Sequence, residues 1–196
     1  IHGARVVQIR GNFDQALEIV RQVADRPGYS LVNSVNPDRI AGQMSAAFEI
    51  CDALGRAPDY HALPVGNAGN IISYWLGYTK YMKDNIISGR PQMLGFQAKG
   101  AAPLVTGKPV RNPETIATAI RIGNPASWKG AMAARDESKG LIEAVTDREI
   151  LEAYRWIAIL AGYFCEPASA AGIAGIRKLA QRGFFTKGAM VVCTLT

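Results

Sequence analysis

The sequence predicts an α/β domain built on an open, mostly parallel β-sheet that is flanked by helices. Short apolar runs bounded by turn residues alternate with segments of helical periodicity, and this alternation is the pattern of βα units. Hydrophobic residues make up 48% of the 196 residues and charged residues 19%, so the chain can bury a core and is neither a disordered tail nor a coiled coil. No apolar run reaches the ~18 residues that cross a bilayer, so no membrane association is expected.

Six apolar runs are predicted to form strands, because each is short and is bounded by turn-forming residues. They are residues 4–9, 29–33, 60–65, 91–97, 141–145 and 189–194. Parallel strands need long crossover connections, and the helical segments between these runs can supply them.

Seven segments have the periodicity of helices. They are residues 13–25, 38–54, 69–82, 115–121, 128–138, 147–161 and 168–181. Thr146 is followed three residues later by Glu149, which is the signature of a capping box, and Gly55 and Gly162 are typical helix stops. Between residues 98 and 127, prolines and glycines interrupt any long element, so short helices joined by loops are expected there.

Charge and cysteine content exclude several classes of function. The net charge of +6 comes from 22 Lys and Arg residues against 16 Asp and Glu residues. The basic residues are scattered without a dense run, so nucleic-acid binding is not expected. Cys51, Cys165 and Cys193 lie far apart in apolar stretches, which favours buried thiols in a reducing compartment such as the cytoplasm. His61 lies on a predicted strand without a nearby ligand pattern, so a structural role is expected and no metal site is predicted.

The loop Gly66-Asn67-Ala68-Gly69-Asn70 is the strongest candidate site. It follows a predicted strand and opens a predicted helix, so its successive N–H groups and the helix dipole can converge on one point. A phosphate group suits such an anion-binding site. An ordinary tight turn between a strand and a helix explains the same residues equally well.

A second polar cluster ends the predicted strand at 29–33. Asn33 and Ser34 are small hydrogen-bonding residues at a strand end, and Arg39 falls in the first turn of the next helix. Together they suit a second phosphate or carboxylate group. The alternative is a turn capped by Asn36 with Arg39 in solvent, and on these residues alone it is somewhat favoured.

Five motifs taken together resemble the threonine synthase family. They are LVNSVNP, PVGNAGN, ATAIRIGNPASW, EPASAA and VVCTLT, in this order along essentially the whole chain. The family consists of pyridoxal-phosphate enzymes with the tryptophan synthase β-like fold, which is fold type II. The resemblance therefore implies a cofactor, pyridoxal 5'-phosphate.

The resemblance also implies which residues hold the cofactor. Backbone N–H groups of Gly66, Asn67, Ala68, Gly69 and Asn70 would hold its phosphate. Thr196, which matches the threonine before the family's Gly-His-Gly motif, would place its hydroxyl against the pyridine nitrogen. A hydroxyl does not hold that nitrogen protonated as a carboxylate does, so the ring becomes a weaker electron sink.

The implied substrate is O-phospho-L-homoserine, which the family converts with water to L-threonine and phosphate. Asn33, Ser34 and Arg39, with help from Asn67, match the positions that bind the substrate phosphate. The Schiff-base lysine of the family belongs to a Ser-Phe-Lys-Asp segment that this sequence lacks, so no catalytic base is assigned and these residues alone are expected to be inactive. The resemblance implies a homodimer for a full-length member.

The same resemblance divides the chain into two parts. Residues 1–33 would be the end of a smaller α/β domain, and residues 34–196 most of a large cofactor-binding domain. The chain begins without Met in one apolar run and ends in another, so an excerpt of a longer protein is expected. Two alternatives stay open: another fold type II lyase such as a threonine dehydratase, and a non-catalytic relative that binds a phosphorylated ligand.

Overall fold

The computed structural model describes residues 3–11, 13–33 and 36–196. The helices are α1 (Phe13–Ala24), α2 (Pro37–Gln43), α3 (Ser45–Leu54), α4 (Gly69–Lys83), α5 (Pro103–Thr106), α6 (Trp128–Glu137), α7 (Asp147–Trp156) and α8 (Pro167–Gln181). The strands are β1 (Tyr60–Pro64), β2 (Gln92–Ala98), β3 (Leu141–Val145) and β4 (Val191–Cys193). Two short 3₁₀ helices, Lys99–Ala101 and Thr118–Ile120, and one π-helical turn, Ile157–Ala161, complete the described elements.

The four strands form one parallel sheet in the order β3-β2-β1-β4. Tyr60 pairs with Gln92 on one side and with Val191 on the other, so β1 is central. All five residues of β1 are buried, as expected for a parallel strand covered on both faces. The predicted α/β class with a parallel, helix-flanked sheet is confirmed.

One face of the sheet packs against α7 and α8. The small residues of α8 let it approach closely, because a Cβ on Gly175 would lie 2.2 Å from the ring of Phe96. A Cβ on Gly172 would lie 2.6 Å from the sulfur of Cys193. The run of Ala and Gly after Pro167 is therefore explained by close helix-to-sheet packing.

The opposite face packs against α3, α4 and α6. Leu63, Val65 and Met93 point to this side and are fully buried. A Cβ on Gly77 of α4 would lie 2.6 Å from the carbonyl oxygen of Met44, so the two helical segments are nearly in backbone contact. The side chains of β1 and β2 thus alternate between two cores, one on each face of the sheet.

Two predicted strands are wrong. Residues 4–9 and 29–33 form no strand, and Val6 and Val7 are 89% and 76% exposed. A strand is stable only when its backbone groups pair with a neighbour, and none of the four described strands lies beside these residues. In the part assigned to a smaller domain, α1 is the only regular element among the described residues, and the division at residue 33 stays a prediction.

Helix predictions differ in detail. The predicted helix at 38–54 is two helices that break at Met44, and the predicted helix at 115–121 is only the 3₁₀ turn Thr118–Ile120. The Thr146–Glu149 capping box is confirmed, with both reciprocal hydrogen bonds present. Gly55 and Gly162 end their helices in the left-handed conformation, at φ 67° and 71°.

Candidate functional site

The candidate site lies at the carboxyl edge of the sheet. There β1 leads into α4, β4 ends at Cys193, and α8 begins at Pro167. These segments enclose a cavity of about 470 Å³. The predicted site residues that border it are Asn33, Arg39, Gly66, Asn67, Ala68, Gly69, Asn70 and Thr196. Open α/β sheets bind their ligands at this edge.

The loop at 66–70 has the geometry of an anion cradle. Ala68 adopts the left-handed conformation at φ 70°, and α4 begins at Gly69 without a side-chain cap. The N–H groups of a first helical turn have no partners within the helix, so they are available to a ligand, except that of Ile71, which the Asn70 side chain accepts. A Cβ on Gly66 would lie 3.0 Å from Cα of Ile120, so glycine lets this backbone pack closely against the turn Thr118–Ile120. These features fit a bound phosphate group.

The two asparagine side chains of the loop fix its shape. Asn70 donates to the Pro64 carbonyl at 2.7 Å and accepts the Ile71 N–H at 2.8 Å, which ties the strand end to the helix start. The side-chain oxygen of Asn67 accepts the N–H of Ala126 at 2.7 Å. The loop is therefore pre-organised before any ligand arrives.

The second predicted cluster borders the same cavity. Asn36 caps α2 by accepting the N–H groups of Asp38 and Arg39 at 2.8 and 3.3 Å, as the alternative interpretation expected. Arg39 is exposed, and both it and Asn33 line the cavity. The prediction for Ser34 falls outside the described residues. The cap uses only the backbone N–H of Arg39 and not its side chain. The capped turn is therefore compatible with a ligand contact by the Arg39 guanidinium.

The end of the chain closes another side of the cavity. The hydroxyl of Ser169, in the first turn of α8, donates to the carbonyl oxygen of Thr196. Glu166 occupies the N-cap position of α8 without a side-chain capping bond and also lines the cavity. Thr196 is thereby held beside the cradle.

His61 and Tyr74 form a feature that the sequence did not predict. His61 is fully buried, with Nε2 2.7 Å from the Thr194 hydroxyl and Nδ1 3.0 Å from the Tyr78 hydroxyl. Its ring stacks on Tyr74, at 5.2 Å between centroids, and Tyr74 borders the cavity. Burial lowers the pKa of His61 to about 4, so the imidazole is neutral. In the sequence, the sign of this feature was the spacing of four residues between Tyr74 and Tyr78, which places both rings on one face of α4.

Other parts of the described chain are less suited to binding an anion than the loop at 66–70. A larger cavity, of about 910 Å³, lies at the amino ends of β1 and β2, away from the start of α4. Among the described residues, no three His, Cys, Asp or Glu side chains are grouped closely enough to hold a metal ion. No described helix is long and apolar enough to span a bilayer.

Sequence comparisons identify relatives along the whole chain. A family model described as pyridoxal-phosphate dependent enzyme matches residues 1–196. A threonine synthase of Mycobacterium leprae is 60% identical over 197 residues, and one of Halalkalibacterium halodurans is 57% identical over 196 residues. Each alignment covers 100% of this chain and 55% of the relative. The chain therefore spans about half the length of the curated relatives it matches.

Solved structures share the fold at low identity. Threonine deaminase isoform 2 of Solanum lycopersicum aligns with a TM-score of 0.76 and 18% identity, over 97% of this chain and 52% of that one. A pyridoxal 5'-phosphate-dependent aspartate racemase aligns with a TM-score of 0.73 and 22% identity, over 99% and 60% of the two chains. At these identities the likeness shows a common fold.

Proposed function

Because this chain belongs to the family of pyridoxal-phosphate dependent enzymes, with the predicted fold type II architecture, we propose that it is part of a threonine synthase. The reaction would convert O-phospho-L-homoserine and water to L-threonine and phosphate. The observation that carries this proposal is the anion cradle at residues 66–70, which shares one cavity with Arg39. Identity of 60% to a threonine synthase favours this activity over others of the fold.

The cradle is proposed to hold the cofactor phosphate. The first-turn N–H groups of α4 and its dipole favour an anion at that point, and Gly66 lets the loop pack closely against the turn Thr118–Ile120. Asn67 and Asn70 use their side chains to hold the loop, so their backbone N–H groups would make the contact. Ala68 and Gly69 complete the cradle.

Thr196 is proposed to face the ring of the cofactor. When bound, pyridoxal phosphate withdraws electrons from the amino acid attached to it, which makes the protons of that amino acid acidic. The Ser169 hydroxyl fixes the backbone of Thr196 beside the cavity. A neutral hydroxyl at the pyridine nitrogen would leave that nitrogen unprotonated, which moderates this withdrawal.

The phosphate of the substrate is proposed to bind at the other side of the cavity. Arg39 supplies a positive charge, and Asn33 and Asn67 supply hydrogen-bonding groups around it. From the sequence we also assign Ser34 to this group. A guanidinium with several hydrogen-bonding neighbours is a strong partner for a phosphate dianion. Two phosphate groups within one cavity would then hold cofactor and substrate in a fixed relation.

The catalytic base is not among the residues assigned here. In the part of the chain that the structure describes, no lysine borders the cavity. On the resemblance to the family we propose that the Schiff-base lysine comes from outside these residues. The same resemblance supports a cytoplasmic homodimer for the whole protein.

The experiment uses protein expressed with any residues that flank this chain in its gene. It is incubated with pyridoxal phosphate and either O-phospho-L-homoserine or L-threonine, and phosphate, threonine and 2-oxobutyrate are measured. Equal release of phosphate and threonine from the first substrate supports the proposal. Release of 2-oxobutyrate from threonine without the first reaction would support a dehydratase, which the shared fold with threonine deaminase also allows. Binding without either product would support a non-catalytic relative.

A further inference from the structure

One wall of the cavity is formed by residues 118–122, the wall segment. Four of its residues border the cavity, namely Thr118, Ala119, Ile120 and Ile122. The regular structure of the wall segment is limited to one 3₁₀ turn. An element this short has few internal hydrogen bonds, so its position depends on the contacts of the residues next to it.

The residues just before the wall segment are held by the carboxylate of Asp147, the first residue of α7. The Thr115 hydroxyl donates to one carboxylate oxygen at 2.5 Å, and the Ile116 N–H donates to the other at 3.1 Å. The Thr115 oxygen also accepts the N–H of Ala117 at 3.1 Å. Hydrogen bonds to a carboxylate are stronger than those between neutral groups. A single side chain thus fixes three consecutive residues.

Asp147 is itself held in place. It follows Thr146, which caps α7 through the reciprocal capping box with Glu149. The dipole of α7 favours a negative charge in this first turn. Among the described residues, the hydrogen bonds that join residues 115–122 to another segment of the chain all end on Asp147. Its carboxylate is therefore the polar anchor of the wall segment.

The anchored residues determine the geometry of the turn beside the cradle. The Ile116 carbonyl accepts the N–H of Thr118 at 3.0 Å, and the Ala117 carbonyl accepts the N–H of Ile120 at 3.1 Å. A Cβ on Gly66 would lie 3.0 Å from Cα of Ile120, so the turn is closely packed against the first residue of the cradle. Close-packed interiors transmit displacements, so a shift of the anchored residues would reach Gly66.

We propose that Asp147 is a positioning residue for the phosphate cradle at residues 66–70. By anchoring the wall segment, it keeps Ile120 against Gly66 and so holds the N–H groups of the cradle in their binding geometry. Asp147 does not border the cavity, so it acts through these contacts and not on the ligand directly. The identity of the bound phosphate as that of pyridoxal phosphate rests on the proposed function.

The test measures the dissociation constant of pyridoxal phosphate by absorbance titration of protein expressed with its flanking residues. Asp147→Ala removes both acceptors, so the constant should rise about two- to thirtyfold, as for substitutions that change a site without touching its ligand. Pyridoxal lacks the phosphate group and should bind the wild type and the variant equally. This selectivity separates the positioning of the cradle from a general loss of stability.

A second pair of variants tests the same anchor from its other side. Thr115→Val removes the hydroxyl that joins Asp147 to the N–H of Ala117, so it should also weaken the binding of pyridoxal phosphate. Thr115→Ser keeps the hydroxyl and should restore the wild-type affinity. Equal affinities of the Val and Ser variants would overturn the hydrogen-bonded route.

The matched control is Asp59→Ala. Asp59 also accepts a backbone N–H, from Met190 at 2.7 Å, and a side-chain N–H, from Arg56 at 3.1 Å. It precedes β1, however, and so lies at the edge of the sheet opposite the cradle. This variant should lose stability and keep its affinity for pyridoxal phosphate. A loss of affinity as large as that of Asp147→Ala would overturn the specific role of Asp147.

A double-mutant cycle tests whether Asp147 acts through Gly66. Gly66→Ala disturbs the contact with Ile120 from the cradle side. If both substitutions act on this contact, the loss of binding free energy in the double variant should be smaller than the sum of the two single losses. Full additivity would overturn the route through Gly66.

Thermal unfolding of each variant identifies any that fails to fold, and affinities are compared among the folded ones. If Asp147→Ala does not fold, the Thr115 variants decide the question. Unchanged affinity for pyridoxal phosphate in the folded variants would overturn the positioning role, and equal losses for pyridoxal would overturn its action on the phosphate cradle. Failure to form threonine with the affinity changes intact would overturn only the proposed function.

Discussion

Replacing Gly66 by alanine tests whether the cradle depends on close backbone packing. The added Cβ would lie 3.0 Å from Cα of Ile120 and 3.1 Å from the carbonyl oxygen of Ala119. Both neighbours are backbone atoms, so the loop or the 3₁₀ turn Thr118–Ile120 must shift by a few tenths of an ångström. Overpacking of this kind costs about 1–3 kcal/mol of unfolding free energy. The same shift displaces the N–H groups of the cradle.

Two measurements on Gly66→Ala separate these effects. Urea unfolding gives the loss of stability, and absorbance titration gives the affinity for pyridoxal phosphate, which we expect to fall by about tenfold or more as charge-assisted hydrogen bonds lose their geometry. Gly89→Ala is the matched control, because a Cβ there meets no atom within 4 Å. If Gly66→Ala bound the cofactor as tightly as Gly89→Ala, the cradle would not be the phosphate site.

Three further substitutions test other parts of the structure. Arg39→Ala should lower kcat/KM for O-phospho-L-homoserine by about ten- to a hundredfold while cofactor affinity is retained, because only the substrate phosphate loses its charged partner. Thr146→Ala removes a capping box and should cost about 1 kcal/mol in urea unfolding. Burial alone would raise the pKa of Glu149, but hydrogen bonds from Thr146 outweigh this effect and hold the pKa below its ordinary value of 4.5. The stability lost in Thr146→Ala should therefore be largest above pH 4.5 and should shrink as the pH falls. Gly175→Ala places a Cβ 2.2 Å from an aromatic ring and should cost about 1–3 kcal/mol in the same assay.

Each of these expectations has a contradicting result. Wild-type kinetics for Arg39→Ala would show that Arg39 does not contact the substrate phosphate. A pH-independent cost for Thr146→Ala would show that the carboxylate of Glu149 plays no part in the cap. Unchanged stability of Gly175→Ala would mean that α8 can move away from β2 without loss.

The parts of the site that depend on local chemistry could be predicted from the sequence. An apolar strand followed by Gly66 to Asn70 and a helical period predicts a cradle, because the φ values and N–H directions are set within a few residues. The Thr146 capping box was equally local. The strand at 4–9 failed because the pattern reports the tendency of a segment, whereas a strand also needs a partner for its backbone groups.

The other features depend on residues far apart in the sequence. The role of His61 is set by Thr194, 133 residues away, so no local pattern could show it. The need for small residues in α8 is set by Phe96 of β2, whose ring fills the space that a side chain on Gly175 would occupy. The loop after β1 and Thr196 after β4 lie at one edge because parallel strands bring their carboxyl ends together, whereas Asn33 and Arg39 line the same cavity without the predicted strand at 29–33.

A crystal structure of the expressed protein grown with pyridoxal phosphate would test the central claim most directly. We predict phosphate density at the amino end of α4, with its oxygens within hydrogen-bonding distance of the backbone N–H groups of residues 66–70. Density for the phosphate in the cavity at the amino ends of β1 and β2 instead, with the cradle unaltered, would contradict the assignment.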